Sequence, residues 1–176
     1  IHSRVNRFSS ARFVLWKSGR RFRYYDIDSQ DYTELLETLN LGAYENTGLS
    51  TLKFIEEYPE VMKKYDIRDQ YELHNLLRKI VPKGSYNNFH CEKMPDVAFG
   101  TFNRTQVFRE LLYENAPIRI TDLAALIHQE FGFEPGGVMA NYLREFSDYN
   151  HMGVLIVQQP EMPEEHQNIL KAALTK

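Results

Sequence analysis

The sequence predicts a mainly α-helical fold with short β-hairpins, built as two tandem three-helix units, and three observations carry that expectation. First, residues 71–80, YELHNLLRKI, set Leu73, Leu76, Leu77 and Ile80 at i, i+3, i+4 and i+7, the stripe of a helix buried along one side. Second, this stripe has an echo 66 residues later. VMANYLREF puts Met139, Tyr142, Leu143 and Phe146 in the same register, and Asn75, Leu77 and Arg78 return as Asn141, Leu143 and Arg144. Third, short aromatic and β-branched runs flank glycine turns at 11–27 and around 150–157, the pattern of hairpins.

At the same offset Val61 matches Ile127, Tyr65 matches Phe131 and Ile67 matches Phe133, so two successive helices align without a gap. The first helices align at an offset of 54, through Thr51 with Thr105 and Phe54 with Phe108. The division expected is a basic hairpin over 1–30, a first unit and linker over 31–100, and a second unit with a C-terminal helix over 101–176.

Within the hairpin, residues 11–27, RFVLW and RFRYYDI lie on either side of Lys17-Ser18-Gly19-Arg20. One face is expected to pack while the other carries guanidinium groups. In the first unit, Ser29 or Asp31 caps a helix with Leu35, Leu36 and Leu39 on one side, closed at Gly42. Residues 45–48 read as a turn. Ser50 or Thr51 starts the next helix, with Leu52, Phe54 and Ile55 inward, and Pro59 opens a further short one rather than kinking it. The helix at 71–80 completes the unit. Residues 81–100, rich in Pro, Gly, Asn and Ser, read as a weak β-element and linker in which only 96–99 looks extended.

The second unit begins with a helix through Val107, Phe108, Leu111 and Leu112, ended by Ala116-Pro117. Thr121 with Asp122 caps the next, with Leu123, Leu126, Ile127 and Phe131 on one face and Gly132 suited to the left-handed end position. After the repeated helix, 154–157 reads as a strand. Residues 164–176 form a final amphipathic helix with Ile169, Leu170 and Ala173 inward.

Composition narrows the function classes. The 176 residues are 43% hydrophobic and 26% charged, suited to one domain or two small ones. No apolar run approaches the roughly 18 residues of a bilayer span, so no membrane contact is expected. The single cysteine, Cys91, excludes an intramolecular disulfide and fits a reducing, cytoplasmic compartment. A start at Ile1 in a basic, strand-like stretch sets the expectation of a fragment whose hairpin is the wing of a unit further upstream.

Charge is unevenly placed. Arg4, Arg7, Arg12, Lys17, Arg20, Arg21 and Arg23 precede the first acid, Asp26, which leaves 14 of the 21 basic residues against all 24 acidic ones in the rest of the chain. Such a block suits a wing laid along a phosphate backbone, where each cation releases condensed counterions. It equally suits an edge hairpin kept soluble and unpaired by its arginines.

Catalytic signatures are lacking. There is no G-x-x-x-x-G-K-[ST] loop, no H-E-x-x-H and no G-x-S-x-G, and none of the six histidines makes a helical i, i+4 ligand pair. His90-Cys91 would point to opposite faces of a strand. No enzyme activity, metal or cofactor is expected.

The order helix, helix, helix, short β-element resembles the winged helix-turn-helix class. The stretch TQVFRELLYENAPIRITDLAALIHQEFGFEPGGVMANYLREF is similar to the HARE-HTH type, found in the bacterial RNA polymerase delta subunit, chromatin regulators and bacterial DNA-processing proteins. The resemblance covers 101–157 and more faintly 31–81, and implies tandem winged-helix units in a bacterial regulatory or DNA-processing protein. On it, Arg12, Lys17, Arg20, Arg21 and Arg23 would touch phosphate, and Asn75, Arg78, Lys79, Asn141 and Arg144, on the exposed faces of the third helices, would reach base edges. Duplex DNA is the favoured partner. The alternative is a protein partner, met by Trp16, Tyr24, Tyr25 and Tyr44.

Overall fold

In the computed structural model, which describes residues 11–17 and 21–157, the N-terminal runs pair antiparallel as β1 (Val14–Lys17) and β2 (Arg21–Tyr24). The register sets Val14 against Tyr24, Leu15 against Arg23, Trp16 against Phe22 and Lys17 against Arg21. Alternation therefore puts Leu15 and Arg23 on one face and Val14, Trp16, Phe22 and Tyr24 on the other. Leu15 is buried while Tyr24 is 73% exposed. The arginine-bearing face turns inward and the aromatic face outward, the reverse of the expected arrangement. Leu15, Tyr25 and Ile27 share one core with Leu35, Phe54, Leu73 and Phe99, so the expected boundary at residue 30 falls inside packed structure. The hairpin turn with Arg20, the basic residues Arg4 and Arg7, and the C-terminal helix expected at 164–176 lie outside the described residues.

The first unit follows as α1 (Thr33–Leu39), β3 (Thr47–Ser50), α2 (Thr51–Glu57), α3 (Pro59–Lys64), α4 (Gln70–Ile80), β4 (His90–Cys91) and β5 (Asp96–Phe99). Local chemistry sets the boundaries. Asp31 accepts the Thr33 amide at 3.0 Å, and Asn40, at φ 44, ends α1 in the left-handed region. Ser50 Oγ accepts the Leu52 amide at 3.3 Å, Pro59 occupies the first position of α3, and Asp69 accepts the Glu72 amide at 2.9 Å. The three strands form an antiparallel sheet in the order β3-β5-β4.

The second unit repeats this plan as α5 (Arg104–Asn115), β6 (Ile118–Arg119), α6 (Ile120–Phe131), a third helical segment, β7 (Asn150–His151) and β8 (Val154–Leu155), with sheet order β6-β8-β7. The chain is mainly helical with small antiparallel sheets of two or three strands. In each unit the strand before the second helix pairs with the last strand of the hairpin. The repeat therefore sets α1 against α5 and the broken pair α2–α3 against the single α6, rather than α2 against α5 as the offset of 54 suggests.

The third segments differ. α4 is a regular helix of 11 residues, whereas Val138–Tyr142 is a π-turn followed by the 3-10 segment Leu143–Tyr149. Gly136 and Gly137 at its start disfavour helix, and Asn141 Nδ2 donates to the Gly137 carbonyl at 3.0 Å, competing for a backbone acceptor. α6 begins at Ile120, before the expected Thr121–Asp122 cap, and ends at Gly132 with φ 74.

A second core holds Phe108, Leu112, Leu123, Ile127 and Phe146, and Phe131 packs against both cores. Across the seam Lys53 Nζ donates to the Gln129 carbonyl at 3.2 Å and Gln70 Nε2 to Glu134 Oε1 at 3.2 Å. Among the described residues no helix is long and apolar enough to cross a membrane.

Candidate interaction surfaces

Glu72, Asn75 and Lys79 fall along one side of α4, the side from which base contacts were expected. The inner edge of the hairpin covers it. Phe13 O accepts the Tyr25 amide at 2.9 Å, so the neighbouring residues Val14 and Trp16 turn their backbone polar groups toward the free edge of β1. Asn75 Oδ1 accepts the Trp16 amide at 3.1 Å, and Lys79 Nζ donates to the carbonyls of Val14 at 2.6 Å and Ala11 at 2.8 Å. The two side chains thus terminate an edge that would otherwise be open to strand pairing.

Glu72 anchors the other end. It is fully buried, and Arg23 Nε and Nη2 donate to its two oxygens, each at 2.7 Å. The Arg68 amide adds a third bond at 3.0 Å. Arg23 also donates to Asp66 Oδ2 at 2.9 Å and to the Asp66 carbonyl. The Glu72 hydrogen bonds, ahead of the surrounding charges, hold the Arg23 pKa above its ordinary value.

Four expected contact residues are therefore placed differently from the expectation. Asn75 is 1% exposed and bound to backbone, so it presents nothing to a base edge. Lys79 is half-buried, and burial lowers its pKa to about 8, with Arg12 and Arg78 adding to the shift. Arg23 is the counter-ion of a buried carboxylate. Arg12 Nε is held by Asp28 at 2.8 Å and 3.0 Å, and its Nη1 donates to the Lys79 carbonyl at 3.3 Å. Lys17 is half-buried and Arg21 exposed, facing each other across the hairpin. Arg78, Asn141 and Arg144 are exposed. Glu145 and Asp148 are exposed as well, so the third segment of the second unit carries two exposed acids against one exposed base.

The outward face of the hairpin is apolar. Trp16 packs edge-on against Phe22 with ring centroids 4.7 Å apart, and Tyr24 on the same face is 73% exposed. Of the other aromatic residues expected on a contact surface, Tyr25 is buried with its hydroxyl donating to the Tyr65 carbonyl at 2.8 Å, and Tyr44 stacks on Phe99 at 5.1 Å.

No protein-family model, curated protein or solved structure matches the chain. Its chemistry rests on its own geometry.

One constellation has no signature in the sequence. Arg104, at the first position of α5, crosses the seam: Nη2 donates to Asp96 Oδ2 at 2.9 Å, and Nη1 to the Tyr142 hydroxyl at 2.7 Å. Its guanidinium carbon lies 4.6 Å from the ring centroids of both Phe133 and Tyr142. Burial pushes the Asp96 carboxyl up to about 6, against the opposing pull of Arg104. Asp96, Tyr71, Lys93, Glu134, Asn141 and Tyr142 line a small cavity of about 220 Å³ at this seam. His74, behind it on α4, is buried with neither ring nitrogen hydrogen-bonded among the described residues. Burial drives its pKa down to about 4, and the nearby backbone of Glu92 and Asp96 offsets only part of that. Among the described residues no three His, Cys, Asp or Glu side chains come together as a metal site.

Proposed function

We propose that the chain is a non-catalytic protein-interaction module made of two winged-helix units in tandem, with the outward aromatic face of the N-terminal hairpin as its contact surface. The order helix, strand, helix, helix, hairpin occurs twice, the second helix being split into α2 and α3 in the first unit, each time with first-to-last strand pairing, and this supports the winged-helix reading. The observation that carries the choice of partner is the cover over α4. The polar side from which a DNA reader would address bases is consumed by Arg23, the Trp16 amide and the carbonyls of Ala11 and Val14. In the second unit the exposed Glu145 and Asp148 of the third segment outnumber its one base, Arg144, which does not favour phosphate. Trp16, Phe22 and exposed Tyr24, which share the outward face, are the residue types that anchor protein interfaces.

A second reading, contact with a nucleic-acid backbone and with duplex DNA first, is favoured by one observation. Lys17 and Arg21 face each other at the end of the paired strands.

A photo-crosslinking amino acid at position 24, compared with one at exposed Glu60, separates the two readings in cells that make the protein. Discrete protein adducts from position 24 alone, lost when Trp16 is changed to Ser, are expected. Random duplex DNA should bind weakly in an anisotropy titration at about 50 mM salt. Tight duplex binding that falls steeply by about 200 mM salt and is lost in a Lys17→Ala, Arg21→Ala variant would overturn the proposal in favour of the second reading.

A further inference from the structure

Between the C-terminal end of α4, the turn at 82–88 and β4 lies a cavity of about 540 Å³, whose lining includes Arg78, Lys83, Asn88, Phe89, His90 and Cys91. It takes no part in the surfaces above. Its floor is neutral and mostly apolar. Val81 and Phe89 are buried, and burial pushes the Cys91 thiol up to about 12, so it stays protonated at neutral pH.

The rim is cationic. Arg78 and Lys83 are exposed and form no ion pair among the described residues, whereas Arg12, Arg23, Lys53, Lys64, Arg68 and Arg104 each do. The carboxylate on this rim, Glu92, already faces Arg104 at 3.4 Å. His90 Nδ1 lies 3.0 Å from the Asn88 carbonyl, which can only accept, so Nδ1 carries a hydrogen.

The turn that frames the cavity is strained. Gly84 has φ 78, and the consecutive residues Tyr86, Asn87 and Asn88 have φ 48, 56 and 60, a left-handed run that L-residues avoid. Asn87 pins it, its Nδ2 donating to the carbonyls of Gly42 at 3.0 Å and Tyr44 at 2.8 Å. The chain between Lys83 and Asn88 is thus held in a bulge rather than closing over the floor.

We propose that this cavity binds a phosphomonoester, its dianionic phosphate held between Arg78 and Lys83 and its organic body resting on Val81 and Phe89. Two unpaired cations match a double negative charge, and a guanidinium offers the forked donor pair that phosphate takes. A bare phosphate would leave most of about 540 Å³ unfilled, whereas that volume lies in the range of small-molecule sites.

The test is a titration of the full chain with phenyl phosphate, phenol and inorganic phosphate, followed by the amide resonances of His90 and Cys91. Phenyl phosphate is expected to shift both saturably. Phenol should bind at least about tenfold more weakly, and inorganic phosphate severalfold more weakly. Arg78→Gln and Lys83→Gln should each weaken phenyl phosphate binding about tenfold and leave the thermal midpoint unchanged, because neither side chain holds the fold. No saturable shift up to about 10 mM overturns the proposal. So does equal binding of phenol, or binding that survives the double variant. Inorganic phosphate binding as tightly as phenyl phosphate would overturn the role assigned to the organic body.

Discussion

Replacing Arg104 with Met keeps most of the side-chain length at the seam and removes its charge. Lost with it are the bond to Asp96 at 2.9 Å, the bond to Tyr142 at 2.7 Å, the longer contact with the more exposed Glu92 at 3.4 Å and the stacking on Phe133 and Tyr142. Breaking a buried pair from one side costs about 3–5 kcal/mol. The Arg104 and Asp96 side chains are 20% and 11% exposed, which places this pair near about 3 kcal/mol, a large share of a domain's stability. The cost must depend on pH, because Asp96 titrates at about 6. At pH about 7.5 the variant leaves an ionised carboxylate without its partner. At pH about 5 Asp96 is mostly protonated even in the parent, so the loss should shrink to about 1 kcal/mol. Urea unfolding followed by far-UV circular dichroism at the two pH values measures both numbers. Repeated on an Asp96→Asn background, the substitution should cost the same at either pH. An equal loss at both pH values in the parent, or a full loss on the Asn background, would refute the electrostatic account and leave Arg104 as packing.

Arg23→Met should destabilise the fold by about 3–5 kcal/mol in urea unfolding, because Glu72 is left charged and buried, and adding Glu72→Gln should restore part of it; a loss under about 1 kcal/mol would return Arg23 to the surface. His74 and Asp96 oppose each other in acid. His74, lowered from 6.5 to about 4, contributes stability that is present above 6.5 and lost as pH falls through 4. Asp96, raised from 3.8 to about 6, contributes stability that is present below 3.8 and lost as pH rises through 6. Their slopes nearly cancel between these limits. The unfolding free energy from pH 4 to 6.5 should therefore fall with rising pH in His74→Leu and rise with pH in Asp96→Asn, by up to about 3 kcal/mol in urea titrations, and parallel profiles would show the assignments wrong. Gly132→Ala should cost about 2 kcal/mol or more, since φ is 74 and the new Cβ would sit 2.6 Å from Lys53 Cβ. Gly153→Ala, at φ 87 with nothing within 4 Å, carries the backbone strain alone, about 1 kcal/mol. Equal losses in the two would mean that Gly132 is not the point where the units touch.

Sequence pattern served best where one helix decides its own state. The stripe Leu73, Leu76 and Leu77 is buried as its spacing requires, and Asp31, Ser50, Pro59 and Gly132 sit at the helix ends their chemistry suits. The misses are non-local. Residues 45–48 read as a turn ahead of a cap at Ser50 or Thr51, yet 47–50 form a strand because they pair with 96–99, some fifty residues on. Gly48 is required there by the ring of Phe102, which would lie 2.3 Å from any Cβ. The third segment of the second unit matches α4 residue for residue at Asn141, Leu143 and Arg144. Two glycines and the pull of Tyr142 toward Arg104 still leave it irregular.

The candidate site was harder to see for a reason that lies in α4 itself. A polar side of Glu72, Asn75 and Lys79 has the composition of a solvated or groove-reading surface, and periodicity cannot tell it from a side that is covered. What distinguishes them is a matching set of groups: one guanidinium for the carboxylate, one amide hydrogen for the asparagine oxygen, and two carbonyls for the ammonium. Those groups sit 49, 59, 65 and 68 residues away in sequence. Three of the four are backbone, and therefore carry no residue code at all. The basic block before Asp26 misleads for the same reason, since Arg23 is a surface cation or a core counter-ion according to whether Glu72 lies above it. A polar stripe on a helix beside an aromatic hairpin is therefore better read first as a possible seat for a strand edge, and only then as a reader of bases.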